Sequence, residues 1–84
     1  RTSVLGLTQP AAQGMVVLSG REQAKGMYRK LVLRQDKLIG ALLVGNTSGE
    51  GMMRKMIIEG KPTSATELKS KFLTGLTIEE IAVS

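Results

Sequence analysis

One stretch, residues 28–45, constrains the fold more than any other part of the chain. It reads YRKLVLRQDKLIGALLVG and holds two apolar runs, residues 31–33 and 38–44, on either side of the polar residues 34–37. Two apolar runs joined by a short polar segment are typical of two strands that meet in a tight turn. The first run is flanked by basic residues, as in a strand with one wet face, whereas the second is apolar on both sides. The sequence therefore predicts a β-hairpin whose second strand is central in a sheet.

The segments before and after this hairpin extend it to an α+β domain. Residues 15–19, bounded by Gly14 and Gly20, have the β-branched centre and turn residues of a strand. This strand pairs most simply with the first strand of the hairpin, which gives a three-stranded antiparallel meander. Residues 1–14 are expected to pack at one edge without forming an element of their own. Short C-terminal helices are expected after the meander.

Three short helices are predicted from their end signals. Apolar residues share one face of a helix over residues 52–59, and Gly60 ends it. Residues 64–67, Ser-Ala-Thr-Glu, form a capping box that begins a second helix. The same spacing in residues 77–80, Thr-Ile-Glu-Glu, predicts a third helix at the end of the chain.

The chain is long enough for one small domain with a thin core. Its 84 residues contain one Phe, one Tyr, no Trp and five Met, so Leu, Ile, Val and Met must supply the core. Methionine packs adaptably and specifies a unique core poorly. This composition favours a module that leans on a neighbouring domain or associates with itself.

The absence of Cys and His excludes most catalytic chemistry in this chain. Without a thiolate or an imidazole it cannot form the usual zinc sites, Cys nucleophiles or catalytic triads. The seven carboxylates are scattered, and helix caps explain them better than catalysis does. We therefore expect no catalytic, cofactor-binding or metal-binding residue here. A cysteine-free chain is also typical of a cytoplasmic protein.

The net charge of +5 raises the question of nucleic acid. The basic residues are spread along the chain, and the aromatic-rich strand signature of an RNA-binding sheet is missing. A solvated face, or a face matched to an acidic partner, is the better interpretation. No apolar run approaches the ~20 residues of a membrane span, so no membrane partner is expected.

A glycine-rich turn, residues 45–51, precedes the first predicted helix and suggests a phosphate cradle. Its spacing matches neither G-x-G-x-x-G nor G-x-x-x-x-G-K, and Glu50 brings a negative charge to the position of a phosphate. A flexible turn with a Ser or Thr cap is the favoured interpretation.

Residues 26–46, GMYRKLVLRQDKLIGALLVGN, resemble the C-terminal domain of the FAD-dependent pyridine-nucleotide oxidoreductases. The nearest branch contains rubredoxin–NAD reductase and the large subunit of NADH-dependent nitrite reductase. In that branch a Tyr-x-Lys-Leu-Val strand, a turn, an Ile-Gly-Ala-x-x-Val-Gly strand and a helix ending Glu-Gly-x-Pro follow in order. The matching segments here are residues 28–32, 39–45 and 59–62, and the resemblance extends over residues 14–62.

The resemblance implies a partner module that carries no catalytic residue. In such enzymes FAD and NAD(P)H are bound by two preceding Rossmann-type domains, and the C-terminal domain packs on them beside the flavin. The parent passes hydride from nicotinamide to flavin and electrons to a redox partner protein. We expect the chain to be a C-terminal domain excised from a larger flavoprotein. Its candidate interface residues are Arg29, Lys30, Arg34, Lys37, Met52, Met53, Met56 and Ile57.

A second hypothesis is a free-standing basic β-rich module that binds nucleic acid or another protein. The gene sequence upstream of Arg1 distinguishes the two, because two dinucleotide-binding fingerprints support the first and a nearby start codon supports the second.

Overall fold

The computed structural model describes residues 2–6 and 14–82, which form a five-stranded antiparallel sheet and two α-helices. The order across the sheet is β1-β4-β3-β2-β5. A single 3-10 turn, Gln23–Lys25, joins β2 to β3. The predicted α+β class is confirmed. The elements are β1 (Thr2–Gly6), β2 (Met15–Glu22), β3 (Met27–Arg34), β4 (Lys37–Val44), α1 (Glu50–Glu59), α2 (Ala65–Phe72) and β5 (Thr77–Ala82).

The predicted hairpin is confirmed as β3 and β4. Its loop consists of two residues, Gln35 and Asp36, whose φ angles are 53° and 60°. Positive φ at both positions is the geometry of a type I′ turn, whose twist matches that of the flanking strands. One residue of β4, Ile39, lies in a bulge, because Val32 pairs with Gly40 and Leu33 pairs with Leu38.

The three-stranded meander is present, but the sheet continues beyond it at both edges. Residues 2–6 form a strand that pairs with β4 from Thr2↔Val44 to Gly6↔Gly40, so the expectation that residues 1–14 hold no element was wrong for this part. Residues 7–13 lie outside the described residues. β4 is therefore an inner strand, as expected, although the middle strand of the sheet is β3. β1 pairs with β4 because the edge of β4 would otherwise hold a row of backbone N–H and C=O groups without partners.

The third predicted helix is wrong, because its residues form β5. This strand pairs with β2 from Val16↔Ala82 to Arg21↔Thr77. A capping box is a local signal worth about 1 kcal/mol, whereas a strand along β2 satisfies a whole row of backbone groups. All six residues of β5 are exposed, and β5 is an edge strand of the sheet.

Both helices pack on one face of the sheet, where the core lies. The strands contribute mostly leucines, α1 contributes Met53, and α2 with its C-cap contributes Leu68, Phe72 and Leu73. In the part of the chain that the structure describes, neither helix is long and apolar enough to cross a bilayer. The core residues are Leu5, Leu18, Leu31, Leu33, Leu38, Ala41, Leu43, Met53, Leu68, Phe72 and Leu73.

Gly60 as the end of α1 and Ser64 as the start of α2 are confirmed. Gly60 ends α1 in the left-handed region, with φ 64°, and its N–H donates to the carbonyl oxygen of Met56 at 3.0 Å. The Ser64 Oγ accepts from the backbone N–H of Glu67 at 3.1 Å at the start of α2. The Glu67 carboxylate accepts from the Thr63 hydroxyl at 3.1 Å.

Candidate interaction surface

Arg29, which the sequence suggested for a wet strand face, lies in the interior. Its register places it between Gly20 of β2 and Leu43 of β4, on the face that packs against the helices, and it is 4% exposed. Nη1 donates to the carbonyl oxygen of Phe72 at 3.1 Å. Nη2 donates to the carbonyl oxygen of Ser48 at 2.7 Å and to its Oγ at 3.1 Å. The guanidinium thus joins β3 to the end of α2 and to the turn before α1.

In the described part of the chain, the hydrogen-bond acceptors of the Arg29 guanidinium are carbonyl and hydroxyl oxygens, all of them neutral. There its Nε is buried and has no hydrogen-bond partner. Burial lowers the pKa of the Arg29 guanidinium because desolvation disfavours the charged form, although an arginine remains protonated in a folded protein. A buried side chain in this arrangement holds the fold together and is not available to a partner. Arg29 is therefore not part of the interaction surface proposed below.

The apolar residues predicted to share one face of α1 are divided between core and surface. Met53 is completely buried, while Met56 and Ile57 are half-buried against the core. Met52 is 55% exposed. Met53 is a core residue and is also removed from the candidate surface, whereas the other three remain accessible.

A groove of about 250 Å³ lies between α1 and the segment that leads into α2. Met52, Met56 and Pro62 form its apolar part. Methionine side chains adapt to the shape of a partner and are common on protein-binding surfaces. The groove therefore presents an adaptable apolar surface beside α1.

The charges around this groove are arranged as ion pairs. Lys61 Nζ lies 3.1 Å from a carboxylate oxygen of Glu59, and Lys71 Nζ lies 3.0 Å from one of Glu67. The hydrogen bond from Lys71 lowers the pKa of Glu67, and the hydrogen bond from Thr63 and the Lys71 charge lower it further. Glu67 is thus ionised and paired, which makes it a poor candidate for general acid catalysis near neutral pH.

The basic residues of the hairpin do not form a single cluster. Because side chains alternate along a strand, Lys30 lies on the sheet face opposite Arg29, where it is half-buried. Arg34 and Lys37 are exposed and pair with each other beside the turn. The structure therefore brings together only this last pair of the predicted basic residues, at one corner of the sheet.

The glycine-rich turn does not fit a dinucleotide. The strand before it, β4, has only antiparallel neighbours, whereas a dinucleotide-binding turn follows a strand of a parallel sheet. The N-cap of α1 is Gly49, with φ 87°, and no side chain caps the helix there. The prediction of a Ser or Thr cap was therefore wrong. Glu50 fills the first turn of α1 and accepts from Arg54 at 2.8 Å. A carboxylate at this helix end repels a pyrophosphate.

Val4 and Ile58 are accessible residues that the sequence reasoning missed. Val4 of β1 is 59% exposed and Ile58 of α1 is 77% exposed. Both line a hollow of about 320 Å³ between β1 and α1. A signal was available for Ile58, since two consecutive isoleucines on a helix cannot both point into the core when Ile57 does. No such signal existed for Val4, because its exposure depends on the pairing of β1 at the sheet edge.

Comparisons with known proteins identify the family. Neither the curated proteins nor the solved structures yielded a match to this chain. One family model matches residues 4–61, and its description is the rubredoxin NAD+ reductase C-terminal domain. The match begins within β1, extends through α1 and includes the hairpin on which the resemblance was based. Because the match extends over more than half of the chain, this protein belongs to the family of rubredoxin NAD+ reductase C-terminal domains.

Proposed function

We propose that this chain is the interface domain of an FAD-dependent NAD(P)H oxidoreductase of the rubredoxin reductase or nitrite reductase type. In this proposal it packs on the FAD-binding and NAD-binding domains of the parent chain and contributes no catalytic residue. The observation that carries the proposal is the family match over residues 4–61. In this proposal FAD and NAD(P)H are bound by the other domains, and the poor fit of the glycine-rich turn to a dinucleotide supports it.

The distribution of accessible side chains supports a role in protein contacts. Met52, Met56 and Ile57 offer adaptable apolar area on α1. Arg34 and Lys37 offer positive charge at the β3–β4 turn, and Lys30 lies apart from them, half-buried on the outer sheet face. In the proposal the apolar residues pack on the parent, and the basic residues face an acidic redox partner or the neighbouring domain. The cytoplasm is the proposed location, in keeping with a cysteine-free domain.

The chemistry of the cofactors explains why this domain needs no catalytic residue of its own in the proposal. Hydride transfer is the chemistry of nicotinamide and flavin, and protein groups bind and orient them. A domain without a dinucleotide site can still exclude water from one side of a flavin and supply a surface for electron delivery. Loss of this domain from the parent is therefore expected to impair flavin retention or electron delivery more than nicotinamide binding.

Titration of the 84-residue chain and of the full-length gene product with FAD and NADH tests the proposal. The full-length protein is expected to retain flavin and oxidise NADH, and the 84-residue chain is expected to bind neither cofactor. Saturable micromolar binding of either cofactor by the short chain would contradict the proposal. So would a full-length gene product that contains no dinucleotide-binding domain.

A further inference from the structure

The sheet ends at two edge strands, β1 and β5, and each has one side without a strand partner among the described residues. Such an edge presents a row of backbone N–H and C=O groups that can pair with a strand of another chain. Natural proteins protect their edges with charged residues or proline, among other devices. The two edges of this sheet differ in that protection.

The β5 edge is protected by charge. Glu79 and Glu80 lie at the centre of the strand, and Glu80 forms an ion pair with Lys69. When two copies of a strand pair about a two-fold axis, directly opposite residues share one sheet face, so the registers of greatest overlap centre on one of the two glutamates. Like charges directly opposite each other destabilise a strand pair. A second copy of β5 is therefore repelled from this edge.

The β1 edge carries neither a charged residue nor proline. A two-fold axis beside the middle residue of β1 pairs all five residues of the strand with a second copy. The pairs are then Val4 with Val4, Thr2 with Gly6, and Ser3 with Leu5. Because no charge meets a like charge in this register, β1 is complementary to itself whereas β5 is not.

Val4 stabilises this pairing on the outer face of the sheet. Its side chain is 59% exposed, and it points away from the helices because the adjacent Leu5 points into the core. In the two-fold register Val4 lies opposite its own copy, with about 5 Å between the Cβ atoms. The pair therefore removes apolar area from water on both copies.

α1 adds to the contact on the other sheet face. It contacts both β1 and β4, and Ile58, which is 77% exposed, lines the hollow beside β1. With strands about 4.8 Å apart, a two-fold axis at the outer edge of β1 brings two helices that lie over the β1–β4 pair to about 10 Å. Helices pack at about 8–10 Å. The charged residue of the hollow, Arg54, is neutralised by Glu50 at 2.8 Å, so the charges there do not oppose the contact.

We propose that β1 pairs antiparallel with β1 of a second copy of this chain, about a two-fold axis beside Val4. Two five-stranded sheets then join into one sheet of ten strands, with the helices of both copies on the same face. The new strand pair satisfies backbone groups that the edge otherwise leaves to solvent. This inference goes beyond the proposed function, because it depends on the edge of the sheet and on no cofactor.

Disulfide cross-linking of the full-length gene product tests the inference. The 84 residues contain no Cys, so Val4→Cys and Thr2→Cys each add one thiol to them. In the proposed register two thiols at residue 4 lie directly opposite each other, whereas two at residue 2 lie about 14 Å apart, beyond the reach of a disulfide. Thr2→Cys is the matched control, because Thr2 is exposed and lies on the same face of the same strand.

The disulfide at residue 4 is expected to form at least about tenfold faster than the one at residue 2, and mass spectrometry of the linked peptides identifies each. Equal rates indicate random collision and would overturn the inference. The absence of a link at residue 4 overturns it as well, and is the result expected if another part of the gene product covers β1.

A second measurement tests the same register without a thiol. Val4→Lys places two like charges opposite each other and is expected to raise the dimer Kd at least about fivefold in sedimentation equilibrium. Ile81→Lys is the control on the β5 edge, where Ile81 is 50% exposed, and is expected to leave the Kd unchanged. An unchanged Kd in Val4→Lys contradicts the inference, as does equal weakening by both variants. Thermal melts check that each variant remains folded.

Discussion

Arg29 donates a hydrogen bond to the carbonyl oxygen of Phe72, 43 residues later in the chain, at 3.1 Å. Phe72 is the last residue of α2, so this bond fixes the end of a helix to the third strand of the sheet. The same guanidinium holds the carbonyl oxygen of Ser48 at 2.7 Å, just before α1. Both helices are therefore positioned on the sheet by one buried side chain.

Replacement of Arg29 by methionine is expected to destabilise the domain by more than about 2 kcal/mol. Met has a similar length but leaves the carbonyl oxygens of Phe72 and Ser48 without their donor. Lys30→Met is the matched control, because Lys30 is the next residue and faces the other side of the sheet; its effect is expected to stay within about 0.5 kcal/mol. Urea unfolding of the two variants measures the difference, and equal midpoints would contradict the role assigned to Arg29.

Gly20→Val is expected to destabilise the fold by about 1–3 kcal/mol through overpacking. A Cβ atom at Gly20 would lie 2.9 Å from Leu76 Cδ1 and 3.0 Å from Leu73 Cδ2, and Leu73 is completely buried. Gly51→Ala is the control within α1, because its Cβ would meet nothing within 4 Å. That variant is expected to gain up to about 1 kcal/mol from helix propensity. Thermal melts that move in the same direction for both variants would refute the argument.

Lys71→Met is expected to raise the pKa of Glu67 towards its ordinary value, because the hydrogen bond from Lys71 is the largest cause of the lowering. A carboxyl whose pKa is lower in the folded state stabilises the fold above its unfolded pKa. That contribution is lost as the pH falls through the folded pKa. The variant should therefore lose less stability on acidification than the parent does. Carbon-13 NMR titration of the Glu67 carboxyl is the measurement, with Lys55→Met as the control; an unchanged Glu67 pKa in Lys71→Met would count against the assignment.

The isolated chain is expected to self-associate, because its exposed apolar residues have no covering domain. Ile58→Lys removes the most exposed of them, at 77%, and is expected to weaken association. Lys55→Ala, on an exposed position of the same helix, is the control and should leave association unchanged. Analytical ultracentrifugation over a range of concentrations distinguishes the cases. A strictly monomeric parent at high concentration would be inconsistent with this prediction.

Local signals predicted the centre of the fold correctly. The hairpin followed from two apolar runs around a short polar segment, the end of α1 followed from Gly60, and the start of α2 followed from Ser64. Each of these features depends on residues within a few positions of one another, so the sequence alone contained the necessary information. The family resemblance was determined at the same level, because it rests on the order of these motifs.

Long-range pairing decided the rest. Thr77–Ala82 became a strand because β2 offered an unpaired edge some 60 residues earlier in the chain, and a local capping signal does not report that edge. Arg29 looked like an exposed strand residue, yet its partners are supplied by Ser48 and Phe72, which only the folded sheet and helices bring to it. Hydrophobic pattern and end signals thus determined which elements form at the centre of the chain. Only the tertiary structure decided that β1 and β5 form the edges of the sheet and that Arg29 is buried. Both outcomes depend on groups that are distant in sequence.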